Sequence, residues 1–162
     1  MEMQRRGLLA VVATAAAGRL LSAAWPYAYA GESEISKTDA EWRSLLTPAQ
    51  YDVLRQEATE PPFSSPLLNE HREGVFGCAG CELPLFRSET KYDSGTGWPS
   101  FWNPIEGAIG TRVDKKLWME RTEVHCRRCG GHLGHVFKDG PPPTGLRYCM
   151  NGLALKFVPK SA

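Results

Sequence analysis

The chain reads as a mainly β (α+β) protein, an antiparallel β domain preceded by an N-terminal helical layer. Three observations give that reading. From Phe63 onward, short strand-like runs alternate with Gly and Pro. Before it, two Thr-initiated segments carry helix-start signals. Two Cys-x-x-Cys pairs, Cys78 with Cys81 and Cys126 with Cys129, are spaced like the metal knuckles that clamp small loop-rich domains. With 162 residues, 42% of them apolar and 23% charged, the chain has room for one core and little more. A formal net charge of +1 offers no basic excess for a nucleic-acid partner and no acidic excess for metal buffering.

Residues 1–30 read as a signal peptide outside the fold. Arg5 and Arg6 form a positive start, residues 7–18 are apolar, and Ala28-Tyr29-Ala30 offers a cleavage site before Gly31. The apolar run, about 12 residues, is shorter than the roughly 18 needed to span a bilayer, so a retained anchor is the weaker alternative. The Arg pair is twin-arginine-like, although Gln4 and Ala10 depart from the fuller pattern. The general secretory route stays open. Either route points to an exported protein of the bacterial periplasm, without stable membrane association after cleavage.

The elements follow in order. Residues 31–37 read as a polar linker, the first part of a 31–62 segment that also carries the helices. Thr38-Asp39 can cap a helix over 40–46. Thr47-Pro48 starts a second, with an N-cap hydroxyl and Pro at the first turn; Tyr51, Leu54 and Ala58 line one face, and Pro61-Pro62 ends it. These helices contain no clustered reactive groups and read as a packing accessory. In the β domain, 63–162, strands are expected over 74–77, 117–124, 135–137, 146–150 and 154–158, with a loop over 139–145.

The four paired cysteines can point their sulfurs at one center and hold one structural zinc ion in a closed site. Gly77, Gly80, Gly130 and Gly131 suit the tight turns, one of which needs positive φ. Two disulfides would also suit an oxidising compartment. A thioredoxin-type pair is disfavoured because neither motif lies in a βαβ unit. His125 adjoins Cys126 and is a further candidate ligand, but four cysteines already complete the site.

Five cysteines leave one over, Cys149. In a strand, Arg147, Cys149 and Asn151 share a face, and a guanidinium near the sulfur favours thiolate. A buried, inert cysteine is the plain alternative. Gly131-His132-Leu133-Gly134-His135 sets two imidazoles three residues apart as candidate proton donors, with satisfied structural histidines or metal ligands as the alternatives. Gly95-Thr96-Gly97-Trp98 puts an aromatic on a stiff loop suited to a pocket wall.

Cys78-Ala-Gly-Cys81, Lys91-Tyr-Asp-Ser-Gly-Thr-Gly-Trp-Pro-Ser-Phe101, Arg121-Thr-Glu-Val124, Gly131-His-Leu-Gly-His-Val-Phe137 and Leu146-Arg-Tyr-Cys-Met-Asn151 together resemble the B-class methionine sulfoxide reductases. The similarity runs in order from Trp42 to Phe157. It implies two antiparallel sheets forming an open barrel or tent, with zinc on the far side from the active site. It implies reduction of R-methionine sulfoxide in oxidised proteins, a repair reaction under oxidative stress, by a monomer. By the same resemblance Cys149 is the nucleophile, His132 and His135 flank the sulfoxide oxygen, Asn151 orients the site, and Trp98, with Arg147 nearby, receives the substrate. Many members carry a resolving cysteine where this chain has Thr96. Its absence implies a Cys149 sulfenic acid that a thioredoxin-like or other external thiol must reduce. A zinc-ribbon interaction module without catalysis is the competing expectation; it leaves Cys149, the histidines and the Trp98 loop without a role.

Overall fold

A computed structural model describes residues 33–115 and 120–161. The expected signal peptide and the 117–119 part of one expected strand lie outside the described residues. Two helices, α1 (Asp39–Leu45) and α2 (Pro48–Gln56), precede the strands β1 (Gly74–Cys78), β2 (Pro84–Arg87), β3 (Lys91–Tyr92), β4 (Ser100–Phe101), β5 (Ile109–Asp114), β6 (Arg121–Cys126), β7 (His132–Phe137), β8 (Arg147–Met150) and β9 (Leu155–Pro159). These strands form two antiparallel sheets, ordered β2-β1-β9 and β3-β4-β8-β7-β6-β5.

Both helices start where the threonines place them. Thr38 and Thr47 accept from the third helical residue, and Glu41 and Gln50 reach back to complete reciprocal capping boxes. The end of α2 differs from expectation. It stops at Gln56, because Glu57 takes the left-handed conformation and Ala58 N donates to Asp52 O at 3.0 Å. Pro61 and Pro62 therefore stand beyond the helix. Residues 33–35 are tied to the fold: Ile35 N donates to Arg128 O at 2.9 Å, and Arg127 pairs with Glu34.

β2, β3, β4 and β5 carry too little periodicity to be read from sequence. β3 and β4 have two residues each. β5 is an edge strand whose side chains are mostly part-buried or exposed, so no apolar alternation marks it. β7 begins three residues before its expected start, bringing His132 into the sheet.

One core joins all layers. Trp42, Tyr51 and Leu54 from the helices are buried with Phe76, Leu85, Phe86, Phe101, Val124, Leu133 and Met150. Phe101 of the larger sheet stacks on Phe86 at 4.3 Å and meets Phe76 edge-on at 5.0 Å, which closes the seam between sheets. β7 and β8 approach so closely at Gly134 that a Cβ there would lie 2.1 Å from the Cys149 carbonyl oxygen. That closeness holds the Cys149 backbone against the histidine strand.

Candidate functional site

Register assembles the site. Across the larger sheet the successive partners are Tyr92, Ser100, Cys149, His135, Glu123 and Arg112. Directly opposed residues of antiparallel strands share a face. Cys149 therefore stands between Ser100 and His135, and Glu123 and Arg112 continue the row.

Cys149 is part-buried, and Thr96 Oγ1 lies 3.8 Å from its sulfur. Burial pushes its thiol above the ordinary range; the Thr96 contact and the Arg147 charge pull the other way without overcoming it. Arg147 does favour the thiolate, as the sequence suggests, but desolvation outweighs it. Arg147 is shared between the Cys149 sulfur and a second set of partners. It makes a bidentate pair with Asp139, at 2.9 and 2.8 Å, and lies 4.4 Å over the Phe137 ring.

The two histidines come together, their rings 5.4 Å apart and edge-on. His132 is buried, and its Nδ1 is 2.8 Å from Glu123 Oε1. Burial opposes the Glu123 charge, but hydrogen bonds from His132 and Arg112 prevail and hold its carboxyl below the usual range. Among the described residues, His132 Nε2 is buried without a hydrogen-bond partner. His135 Nε2 lies 2.9 Å from Asp114 Oδ2, and Asp114 also pairs with Arg121 at 2.7 Å. Burial lowers the His135 pKa despite Asp114, so this ring rests neutral at neutral pH.

Trp98 is part-buried, and its indole Nε1 donates to Glu60 O at 3.1 Å. Asn151 is buried and hydrogen-bonded through both ends of its amide. Its Nδ2 donates to Leu133 O at 3.1 Å and its Oδ1 accepts from Glu60 N at 3.0 Å. It therefore braces β7 to the segment after α2. Sequence reasoning passed over Asp114 and Glu60, and Ser100 appeared only within a quoted motif. Glu123 lay inside a quoted motif without being singled out. An acid next to an apolar residue on a strand carries no signal until its partner is known.

The other four cysteines converge elsewhere, at the Cys78 end of β1 and the Cys126 end of β6. The four Sγ atoms lie within 4.8 Å of one another, with 3.7 Å from Cys78 to Cys129 and 3.5 Å from Cys81 to Cys126. A tetrahedron with Zn–S bonds of about 2.3 Å has sulfur–sulfur edges of about 3.8 Å, so the set fits a four-coordinate ion. All five cysteines are free thiols. Of the glycines expected to shape the knuckles, only Gly130 has positive φ; in the first knuckle Glu82 takes that conformation and donates to Cys78 O at 2.8 Å. His125 is not among the converging groups.

The SelR domain family matches residues 46–159. A peptide methionine sulfoxide reductase MsrB of Agrobacterium fabrum is 53% identical over 127 residues, 78% of this chain and 94% of that protein. The protein of the same name from Pseudomonas entomophila is 55% identical over 128 residues, covering 78% and 98%. That of Leptospira interrogans is 52% identical over 125 residues, covering 76% and 95%.

The raised thiol pKa makes a direct prediction. At neutral pH, Cys149 should be alkylated by iodoacetamide more slowly than an exposed cysteine of pKa about 8.5, with a rate still rising above pH 9. Mass spectrometry of alkylated peptides against pH reads this out. A plateau by pH 7 would show that Arg147 dominates after all.

Proposed function

The chain belongs to the SelR-domain family of peptide methionine sulfoxide reductases, and from that premise we propose that Cys149 reduces R-methionine sulfoxide in exported proteins through a sulfenic acid. The observation that carries this reading is the cross-strand placement of Cys149 beside His135, with the His132 ring next to it.

A sulfoxide sulfur is a poor electrophile until its oxygen is protonated or hydrogen-bonded. His132, oriented by Glu123, has a buried Nε2 with no hydrogen-bond partner among the described residues to serve that oxygen, and His135 is held by Asp114 beside the thiol. The Cys149 sulfur attacks the sulfoxide sulfur, with the thiol proton passing through the imidazoles to the oxygen. The oxygen ends on Cys149 as Cys–S–OH, and the substrate leaves as the thioether methionine. Two electrons and two protons from an external dithiol, or two monothiols, then return Cys149 to the thiol and release water. Burial of the resting thiol fits this order, because deprotonation is coupled to substrate arrival. The Trp98 face supplies the slot for the S-methyl group, and Asn151 holds the strand end that carries Cys149.

Thr96 occupies the position next to the nucleophile and has no thiol, so no intramolecular disulfide partner is present there. The converging cysteines hold zinc in a closed, structural site that adds folding free energy and takes no part in the reaction. The leader over residues 1–30 directs the enzyme to the periplasm and is removed before Gly31; a thioredoxin-like or other thiol there supplies the electrons, and the mature enzyme works as a monomer.

Purified protein with dithiothreitol should reduce dabsyl-R-methionine sulfoxide, and Cys149→Ser should abolish this while leaving fold and metal intact. After one equivalent of sulfoxide without reductant, dimedone should label Cys149. Thr96→Cys should replace that label with a Cys149 disulfide. A disulfide to any knuckle cysteine in the parent chain would overturn the one-cysteine cycle.

Metal analysis should give about one zinc per chain, and Cys126→Ser should lose it with a large fall in thermal stability. Finding two disulfides and no metal would refute the zinc assignment. Amino-terminal sequencing of protein from the native host should begin at Gly31; a start at Met1 would refute cleavage.

A further inference from the structure

The segment between α2 and β1 supplies no chemistry to the proposed reaction, yet it contains the buried carboxylate Glu60, only 4% exposed. Every polar group of Glu60 is directed at the site. Its side chain accepts from Gly152 N at 2.6 Å and Leu153 N at 2.9 Å, the two amides that follow Asn151. Its backbone N–H donates to Asn151 Oδ1 at 3.0 Å, and its carbonyl accepts from Trp98 Nε1 at 3.1 Å. No cation is among these partners. A buried, unpaired carboxylate is costly, and only charge-assisted bonds from the amides offset it.

Neighbouring contacts fix the same junction. Phe63 N donates to Gly97 O at 2.7 Å, with Phe63 itself at φ 62. A Cβ on Gly97 would lie 2.8 Å from Pro62 and 3.0 Å from the Phe63 ring. A Cβ on Gly152 would lie 1.9 Å from Ser65 Oγ and 3.3 Å from Glu60 Oε1. Segment 60–65 is thus wedged between the Trp98 loop and the turn after Cys149, where it leaves no room for even a methyl group.

From this geometry we infer that Glu60 is a positioning residue that sets the width of the S-alkyl slot, by locking the Trp98 indole to the Asn151 end of the nucleophile strand. The inference rests on the reading that Trp98 receives the substrate S-methyl. Glu60 touches neither substrate nor Cys149; it acts through Trp98 and Asn151.

Glu60→Gln tests it. The amide keeps the size of the side chain but sets an N–H₂ against one backbone N–H, so one amide loses its acceptor. A slot that fits a methyl group should reject one extra methylene roughly 10–200-fold. We compare kcat/KM for peptides carrying methionine sulfoxide and its S-ethyl homologue. Glu60→Gln should erode the preference by about tenfold, the loss of one charge-assisted hydrogen bond, mostly through KM for the methyl substrate. Zinc content and far-UV circular dichroism should stay unchanged. In a Trp98→Phe background the same substitution should no longer move the ratio. Equal slowing on both substrates, or an unchanged drop in the Trp98→Phe background, would overturn the inference.

A readout independent of turnover separates the two readings. The indole N–H resonance of Trp98, assigned by its loss in Trp98→Phe, should shift and broaden in Glu60→Gln. An unmoved indole overturns the positioning role even in an inactive protein. Failure of the parent chain to reduce any sulfoxide would instead defeat the reductase reading. Should Glu60→Gln not fold, Asn151→Ser removes the acceptor for Glu60 N and should move the same resonance; a silent resonance there counts equally against the inference.

Discussion

The constraint on which the rest depends is the antiparallel register of β4, β8, β7 and β6. A strand offers one face to every second residue, so a slip of one would turn Cys149 and His135 to opposite sides. The register is held by contacts that tolerate no slippage. Gly134 lies against the Cys149 carbonyl, and Asn151 N donates to Leu133 O at 2.8 Å just past the end of β8. Ser100, Cys149, His135 and Glu123 become neighbours for that reason, although they lie far apart in sequence.

Electrostatics in this row follow from burial more than from charge. Cys149 has a guanidinium nearby and still rests as a thiol, because removal from water penalises the anion more than Arg147 rewards it. His135 is likewise lowered by burial against the pull of Asp114. Glu123 is the exception, and the cause is specific: two donors, His132 and Arg112, meet its oxygens. The site thus holds a neutral thiol beside histidines braced by carboxylates. That arrangement suits a reaction in which a proton must follow the oxygen atom.

The N-terminal layer is part of the same body. Trp42, Tyr51 and Leu54 sit in the common core, and Arg55 Nη1 donates to Cys129 O at 3.0 Å, bridging α2 to the second knuckle. Arg112 links Glu57, at the end of α2, to Glu123 beneath His132. The helices therefore connect the cysteine cluster, the histidine row and the Trp98 loop. A reading of them as packing alone misses that their functional groups lie at the helix ends and in the segment that follows.

The sequence by itself determined what is local or chemically loud. Reciprocal Thr caps fix the starts of α1 and α2 within one residue, because a cap needs only residues three apart. Paired Cys-x-x-Cys motifs announce a four-sulfur cluster, and the odd fifth cysteine, between Tyr and Met and near two histidines, marks the nucleophile candidate. Tertiary structure alone decided what depends on partners far along the chain. The end of α2 is set by a left-handed Glu57 rather than by the prolines. Two-residue strands such as β3 exist only because a neighbour pairs with them. Whether Arg147 or burial governs the Cys149 thiol is a balance of desolvation against charge, and desolvation is a property of the packed molecule. The same holds for Glu60, which nothing in its local sequence marks, and for the bracing contacts of Asn151: their donors and acceptors are largely backbone groups that meet only when the chain has folded.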